Sequence, residues 1–410
     1  MPLALLGYVF RKRHTPFRSI PKTPDLRPGY DSVIIGRGGP GLASAYYRSN
    51  YHGIRSIAVV EKGYVAGGNT RRNTTTIRSK YLTAESICFF KNGVKPFEEM
   101  PQELGFNVMF SQRPQITLGH SKATEQSLRL RAEMGNLAGA RIEVVDLKTM
   151  RDICPFLTMD EGDQLEVVGD RWHADGGTAR QEAVVRGYAK RAAERRVEIH
   201  QRTALIGMAI QIDRVLATHA GSGTIRAGQV NQAAGGLNGQ VAELAGMSLP
   251  LRCFPLQSMV THAVKSFTGI IRDLTHVSRA ILPWRDCDRR RFRFLPACFH
   301  AIDLRAKRTI GRKGLYLFPF LRNVKLLRQW AGITDMTPDY SPIMGVSRPS
   351  NCWLNTGCWT WGFKVTPDVG KHQAECVATG ENPSLLEPLS LSCFERCELL
   401  NEMGTTAASH

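Results

Sequence analysis

The first part of the chain alternates apolar runs with polar turns. Residues 30–35 form a short run rich in β-branched side chains and lead directly into a glycine-rich turn at 36–41. Residues 42–47 are predicted to be helical, and residues 56–60 form a second apolar run that ends at Glu61. Short continuous apolar runs are typical of parallel strands that are buried on both faces. The order therefore predicts a strand–helix–strand unit in a parallel sheet.

Two later segments have helical patterns. Residues 124–160 and 181–196 are predicted to be helical, the second because its apolar side chains recur at helical spacing. Residues 290–298 show neither the period of a strand nor that of a helix. No internal repeat divides the chain.

The turn at 36–41 matches the pattern G-x-G-x-x-G. Gly36 permits a tight turn, Gly38 lets backbone N–H groups approach a diphosphate, and Gly41 lets the helix pack closely on the strand. Pro40 fits the first turn of a helix, where a missing N–H costs little. The N terminus of this helix is expected to hold the phosphates of a dinucleotide.

Two charged side chains near the turn have alternative interpretations. Glu61 lies 20 residues beyond Gly41, where an acidic residue binds ribose hydroxyls, although it could also be a solvated carboxylate. Arg37 would either add positive charge near the diphosphate or point outward. The polar loop at 67–78 favours flavin over nicotinamide, because such a loop can run along an extended dinucleotide.

The composition is that of a globular protein with an uneven charge. The chain has 410 residues, 42% hydrophobic and 22% charged, which predicts two or three domains. Its net charge is +18, but residues 1–30 carry +5 and residues 279–313 carry +8. The remaining 345 residues carry only +5, which removes the general argument for a nucleic-acid partner.

Cysteine usage and hydropathy point to a reducing compartment. The ten cysteines form no C-x-x-C pair and have no histidine at ligand spacing, so neither a metal site nor a disulfide framework is predicted. The apolar run at 3–10 is followed rather than preceded by basic residues, the wrong order for a secretory signal. No run approaches the length of a membrane span, so we expect a cytoplasmic protein with no membrane partner.

Several segments together carry a resemblance more specific than the glycine turn. They are Glu61-Lys62-Gly63, Gly68-Asn69-Thr70, Arg72-Asn73-Thr74-Thr75, Ile77-Arg78-Ser79, Asn107 to Arg113, Pro255-Leu256-Gln257, Trp330 to Asp335, Ser341 to Gly345 and Gly362-Phe363-Lys364. Over about residues 30–270 and 317–410, the chain resembles the β subunits of heterotetrameric sarcosine oxidases. These are FAD-dependent amine oxidases of the D-amino-acid-oxidase type.

The resemblance implies an α/β fold in which a Rossmann-like FAD-binding domain is combined with a discontinuous, mixed-sheet α+β substrate domain. The expected divisions are a basic N-terminal tail at 1–29, an FAD domain at 30–106, 177–247 and 330–385, a substrate domain at 107–176 and 248–329, and a C-terminal tail at 386–410.

The resemblance also implies a reaction and partners. Sarcosine, or a related secondary amino acid, would transfer hydride to FAD, giving glycine and formaldehyde, and O₂ would then be reduced to hydrogen peroxide. The expected partners are this small substrate and the other subunits of a complex, with neither nucleic acid nor membrane. In such complexes FMN bridges two subunits.

Candidate site residues follow from the same motifs. A substrate carboxylate in a water-poor pocket requires fixed cations. By resemblance Arg78 and Lys364 form this clamp, although each alone could be a surface salt bridge. The expected FAD contacts are Gly36, Gly38, Gly39, Gly41, Glu61, Lys62, Asn69, Thr70, Arg72, Asn73, Thr74, Gly235, Gly357, Gly362, Phe363 and Thr366. Without the resemblance, the last five could belong to ordinary connections between elements.

The chain departs from the family pattern in three places. Gln181 stands where a histidine carries FMN, and an amide cannot form that bond, so any FMN is expected to be non-covalent; His173 is a poor substitute and more typical of a strand or turn. The basic segment 279–313 has no family counterpart and is interpreted as a shifted reading frame or a degenerate insert. Trp359 and Trp361 replace smaller residues, and their bulk could narrow the pocket.

Three functions stay open at this point. The first is the amine oxidoreductase, supported by Arg78, Lys364 and the glycine turn. The second is a catalytically impaired paralogue that serves as a flavin-binding or structural subunit, supported by the three departures. The third is a basic nucleic-acid-binding protein, for which only the arginine-rich segment argues.

Overall fold

The computed structural model describes residues 24–78, 82–89, 93–112, 114–137, 139, 141–158, 167, 169–262, 304–358 and 361–400. The predicted basic tail lies outside these residues up to position 23, as does the basic segment up to position 303.

The described strands and helices are numbered in chain order. The strands are β1 Gly29–Ile35, β2 Ile57–Glu61, β3 Thr76–Ile77, β4 Ser111–Gln112, β5 Gln115–Gly119, β6 Ile142–Val145, β7 Gly169–His173, β8 Gly177–Thr178, β9 Glu198–Gln201, β10 Leu205–Gln211, β11 Arg214–Ala220, β12 Gly223–Gln232, β13 Arg252–Thr261, β14 Leu326–Met336, β15 Ile343–Val346 and β16 Cys352–Thr356. The α-helices are α1 Gly39–Tyr51, α2 Ala84–Phe89, α3 Lys95–Leu104, α4 Lys122–Leu137, α5 Leu147–Ile153, α6 Gln181–Glu194, α7 Asn238–Leu244, α8 Leu304–Leu317, α9 Thr366–Thr379 and α10 Ser392–Glu395. Short 3-10 helices occupy Asn69–Arg72, Gly235–Leu237, Pro319–Asn323 and Ser384–Leu389.

An eight-stranded mixed sheet forms the centre of the protein. β1 pairs in parallel with β2 and β12, β2 pairs in parallel with β9, and β12 pairs in parallel with β16. β10 and β11 extend the sheet as antiparallel strands beyond β12. The predicted unit β1–α1–β2 is therefore present at the middle of this sheet, where both faces are covered.

Helices α1, α6 and α9 cover one face of the sheet. Their apolar side chains bury a cluster that includes Ile34, Leu42, Val59, Tyr188 and Ala374. The strand side chains that alternate with these point to the opposite face, where β10–β12 and α7 enclose a second cluster. Burial on both faces explains why residues 33–35 of β1 and 57–60 of β2 are continuously apolar, since alternation is needed only where one face meets water.

Three smaller sheets lie beside the main one. They have the strand orders β13–β14, β3–β8–β4 and β5–β7–β6. In the first of them, Arg252 to Thr261 pairs antiparallel with the whole of β14. The predicted domain boundary at residue 330 falls inside β14, so this ladder joins segments assigned to different domains.

The prediction of continuous helix over 124–160 is wrong. α4 ends at Leu137, and β6 separates it from α5 because β6 pairs antiparallel with β7. The amide of Asn136 donates to Ile142 O at 2.8 Å and accepts from Ile142 N at 2.9 Å, which secures this change of direction. Asp146 then caps α5 by accepting from the N–H of Thr149 at 2.7 Å. The second helical prediction is confirmed by α6.

The first residues of the predicted C-terminal tail pack against the rest of the chain. Leu386 and Leu389 are buried in a cluster with Trp361, Val365 and Val369. In the basic segment, residues 304–313 belong to helix α8. Among the described residues, no helix has both the length and the apolar character required to cross a membrane.

A substitution in α1 tests the close packing of the glycine turn. A Cβ on Gly41 would lie 2.2 Å from the carbonyl oxygen of Gly36, which is fixed backbone. We expect Gly41→Ala to lower the free energy of unfolding by about 1–3 kcal/mol, because the clash forces strand and helix apart. Thermal or urea unfolding of the purified chain measures the change.

Gly239 in α7 provides the control, because a Cβ there meets nothing within 4 Å. Gly239→Ala should leave stability unchanged or raise it slightly through helix propensity. Equal melting temperatures for Gly41→Ala and the unmodified chain would contradict the packing argument.

Candidate active site

The glycine turn connects β1 to α1 and is enclosed by two remote segments. Gly36 has φ of +103°, and a Cβ there would lie 2.3 Å from the carbonyl oxygen of Ala233. A Cβ on Gly39 would lie 2.3 Å from Oγ1 of Thr366. Gly38 lies near Thr70, whose hydroxyl accepts from the N–H of Gly39 at 3.1 Å. Only glycine therefore fits at positions 36 and 39, directly before and at the N terminus of α1.

Glu61 ends β2 at the edge where the turn begins. Its carboxylate accepts from the N–H of Gly63 at 2.8 Å and from the N–H of Arg37 at 3.2 Å. These bonds hold the carboxylate beside the turn. An acidic residue at this position can accept hydrogen bonds from ribose hydroxyls. Lys62 is exposed in the following turn.

The polar loop after β2 is attached to β14. The side chain of Asn69 donates to the carbonyl oxygen of Ile333, and Nε1 of Trp330 donates to the carbonyl oxygen of Arg72 at 2.8 Å. Arg72 itself donates to the carbonyl oxygen of Gly68 at 3.0 Å. The loop is therefore positioned by a strand about 260 residues away in the chain.

From this loop the chain leads to the first of the two predicted clamp residues. Asn73 accepts from the N–H of Thr75 at 2.7 Å, and Thr75 has φ of +66°. β3 follows, and Arg78 comes directly after it with a relative exposure of only 5%. Thr74 lies between the two turn residues and is half-buried.

Lys364, the second clamp residue, lies two residues before α9 and is 4% exposed. The alternative that either cation is a surface salt bridge is thereby excluded for both side chains. Burying a cation costs several kcal/mol unless hydrogen bonds or an opposite charge compensate it. Buried cations of this kind can bind an anionic group.

The remaining predicted contacts lie where β12 and β16 end. Gly235 follows β12 with φ of +58°, and Gly357 follows β16 with φ of +66°. Gly362 precedes Phe363, whose buried ring packs 5.7 Å from that of Phe97 within the core behind the sheet. Thr366 begins α9 and is fully buried against the glycine turn.

Asp335 is a residue at this edge that the sequence analysis singled out only as part of a motif. Its carboxylate accepts from the N–H of Gly357 at 2.8 Å and from the hydroxyl of Thr356 at 3.1 Å. Burial raises the pKa of Asp335, and these donors oppose the shift. Asp335 therefore holds the turn after β16 in place. Asp335 is the single acidic residue of β14, and this is the signal that could have identified it.

One of the two predicted obstructing tryptophans is described. Trp361 is fully buried and packs with Val365, Val369 and Ile87 in the cluster beneath α9. Its bulk is accommodated by the core. Trp359 lies outside the described residues.

Gln181 lies at an open cleft of about 750 Å³, within the range of small-molecule sites. Its amide donates to the carbonyl oxygen of Arg71 at 3.2 Å, and Arg71 pairs with Glu182 at 2.9 Å. The cleft is also lined by the side chains of Arg72, Arg180, Arg328, Tyr64 and Trp330. His173 is a buried strand residue at the end of β7, as its sequence context indicated.

Comparison with known proteins agrees with this geometry. A family model described as FAD dependent oxidoreductase matches residues 31–376. The chain belongs to the FAD-dependent oxidoreductase family. It is 33% identical to the sarcosine oxidase subunit beta of an Arthrobacter species over 395 residues, covering 94% of this chain and 96% of the relative. It is 34% identical to the subunit of the same name from Rhizobium meliloti, covering 94% and 93%.

Solved structures of other enzymes share the fold. The L-proline dehydrogenase of P. horikoshii has a TM-score of 0.78 at 22% identity, over 91% of this chain and all of that one. The glycine oxidase of Geobacillus kaustophilus has a TM-score of 0.73 at 15% identity, over 89% and 99%. The predicted α/β fold class is confirmed.

The comparisons also confirm the predicted resemblance. The chain is an FAD-dependent oxidoreductase of the sarcosine oxidase β-subunit type. The alternative of a catalytically impaired paralogue is not favoured by them. In a member of this family, the glycine turn, Glu61 and the N terminus of α1 would suit the ADP half of FAD, because they combine a glycine backbone at a helix N terminus with a carboxylate that can accept from ribose.

The first turn of α9 contains a carboxyl group with an unusual environment. Asp368 is 6% exposed, and burial raises its pKa to about 7 against the opposing charge of Lys371. A raised pKa means that the folded state binds the proton more tightly than the unfolded state. The resulting stabilisation is complete below pH 3.8 and is lost as the pH rises through 7.

Replacing this carboxyl should change the pH dependence of stability. We expect Asp368→Asn to be more stable than the unmodified enzyme at pH 8, with the difference shrinking toward pH 4. Melting temperatures measured over this range test the sign, with Asp213→Asn as an exposed control. A difference that stays constant from pH 4 to pH 8 would contradict the assigned shift.

Proposed function

We propose that this protein oxidises a small secondary amino acid, sarcosine or a close relative, with FAD as the electron acceptor. The observation that carries the proposal is the burial of both Arg78 and Lys364 within a flavoprotein fold. An amino-acid substrate offers a carboxylate, which is a group that buried cations of this kind can bind. The names of the curated relatives, sarcosine oxidase subunit beta, support the same substrate class.

The two cations are suited to different tasks. The planar guanidinium of Arg78 can donate two parallel hydrogen bonds to one carboxylate, whereas the ammonium of Lys364 acts as a point charge. Together they would fix the carboxylate and leave the N-methyl group free to face the flavin. Orientation of this kind accounts for a large part of the barrier reduction when no strong base is required.

The reaction needs no acid or base from the protein in addition to the two cations. FAD, when bound, supplies a two-electron acceptor for the hydride of the N-methyl carbon. The amine nitrogen loses one proton as the C=N bond forms, and water hydrolyses the imine to glycine and formaldehyde. O₂ accepts the two electrons together with two protons, one from the transferred hydride and one from the amine nitrogen, and leaves as hydrogen peroxide. The residues of this chain contribute binding and orientation.

We also propose that the cleft beside Gln181 binds non-covalent FMN where another subunit docks. Four arginines line this cleft, Arg71, Arg72, Arg180 and Arg328, and Trp330 offers an aromatic surface. This combination suits a phosphate joined to a flat ring. The relatives are themselves named as subunits, which supports docking of further chains.

Anaerobic titration tests the catalytic proposal. Sarcosine should bleach the flavin absorbance of the purified protein, and Arg78→Met and Lys364→Met should each raise the half-saturating concentration by about 10- to 100-fold, as expected for loss of a charged hydrogen bond. Arg129→Ala, at an exposed helical ion pair, should behave like the unmodified enzyme.

Absence of flavin reduction would contradict the catalytic proposal. A flavin-loaded protein that is not reduced by sarcosine, dimethylglycine, proline or hydroxyproline does not act on this substrate class. Unchanged half-saturation in both cation variants would remove their assigned role even if the enzyme were active.

Acid precipitation tests the mode of FMN binding. Because Gln181 cannot form a histidyl–flavin bond, all flavin should appear in the supernatant after precipitation, and chromatography should resolve FAD and FMN there. Gln181→His, in a complex with its partner subunits, provides the comparison. Yellow colour that stays with the pellet of the unmodified protein would refute non-covalent binding.

A further inference from the structure

Arg37, the second residue of the glycine turn, has an environment that no function described so far explains. The sequence left open whether this side chain points outward or toward a cofactor. It is fully buried, and its Nε, Nη1 and Nη2 atoms have no hydrogen-bond partner among the described residues. Five donor hydrogens are therefore withheld from water without a described acceptor.

A guanidinium in this condition is unfavourable in the chain alone. Burial lowers the pKa of Arg37 to about 10, with the nearby carboxylate of Glu61 opposing the shift. The group remains charged at neutral pH. Because a buried charge without hydrogen bonds costs free energy, the fold either tolerates this cost or recovers it when an acceptor binds.

The position of Arg37 indicates what that acceptor is. Its N–H donates to the carboxylate of Glu61 at 3.2 Å, and its carbonyl oxygen accepts from the N–H of Ala66 at 3.3 Å. The backbone is thus fixed between the ribose-binding carboxylate and the N terminus of α1. His200 in β9 is within electrostatic range of Arg37: burial lowers the pKa of His200, Glu198 opposes that shift, and the charge of Arg37 is the smallest contribution that lowers it.

We infer that Arg37 binds the adenosine diphosphate half of FAD, donating from its guanidinium to the acceptor atoms of that group. The diphosphate carries negative charge, and the adenine ring carries nitrogen acceptors, so either part can satisfy the buried donors. Glu61 and the α1 N terminus, which are expected to hold the ribose and the phosphates, lie on either side of the Arg37 backbone. Arg37 adds a charged contact to a turn that otherwise binds through backbone groups.

One substitution, Arg37→Met, should raise the stability of the flavin-free chain and lower its affinity for FAD. Arg37→Met keeps an unbranched chain of similar length but removes the charge and all side-chain donors. The flavin-free chain should melt at a higher temperature than the unmodified chain, because an uncompensated buried charge is gone. Its affinity for FAD and for ADP should fall by at least tenfold. A purely structural role for Arg37 would lower stability and leave affinity unchanged.

The full-length chain, freed of flavin, is titrated calorimetrically with FAD, ADP and adenosine. Arg48→Met is the matched control, because Arg48 is also fully buried with two unpartnered nitrogens but bonds Ser32 at 2.6 Å, away from the turn. That variant should bind FAD and ADP within twofold of the unmodified chain. Arg37→Lys, which keeps the charge and loses the fork, should bind with intermediate affinity and serves if the methionine variant does not fold.

The probes locate the contact within the ADP half. Weakened binding of ADP but not of adenosine assigns the guanidinium to the diphosphate, and weakened binding of both assigns it to the adenosine. Unchanged ADP affinity in Arg37→Met, or in Arg37→Lys where only that variant folds, overturns the inference.

This inference rests on the proposed function only in that FAD is the cofactor. A wild-type chain that binds FAD but is not reduced by any amine would defeat the proposed reaction and leave the role of Arg37 standing. Equal affinities in the Arg37 variants would defeat this inference and leave the reaction standing.

Discussion

The packing around the glycine turn at 36–41 depends on steric exclusion, because the neighbouring segments leave no room for side chains on Gly36 or Gly39. A side chain at Gly36 would collide with the carbonyl oxygen of Ala233, and one at Gly39 would collide with Thr366. Segments separated by about 200 and 330 residues therefore approach the turn as closely as backbone atoms allow. This arrangement brings the end of β1, the segment after β12 and the start of α9 together, and Lys364 lies two residues before α9.

Local patterns predicted the parts of the fold that local forces determine. The β1–α1–β2 unit and α6 follow from apolar periodicity and the glycine turn, and all are present. The failure at 124–160 has a different cause. β6 exists because β7, some 27 residues later, offers an antiparallel partner, and Asn136 bonds both backbone groups of Ile142. Pairing between distant segments cannot be read from one helical period.

The sequence motifs predicted which residues belong to the site, but they did not predict the burial and packing of those side chains. The sequence indicated Arg78 and Lys364 by resemblance, but only packing shows that both are buried. Trp361 was expected to narrow the pocket, whereas its side chain fills a cluster beneath α9. The electrostatic environment of Arg37 includes Glu61 on β2 and His200 on β9, and no spacing within the turn specifies these neighbours.

Strand β12 completes its hydrogen bonding only with β16, a strand that is synthesised much later. One edge of this strand pairs with β1, while the other pairs first with β11 and then, at Val230 to Gln232, with β16. A nascent chain that has not yet reached residue 352 therefore has an unpaired strand edge directly before the turn at Gly235. Open edges of this kind recruit other chains. During translation, we expect this edge of β12 to stay open to misassociation until β16 emerges from the ribosome.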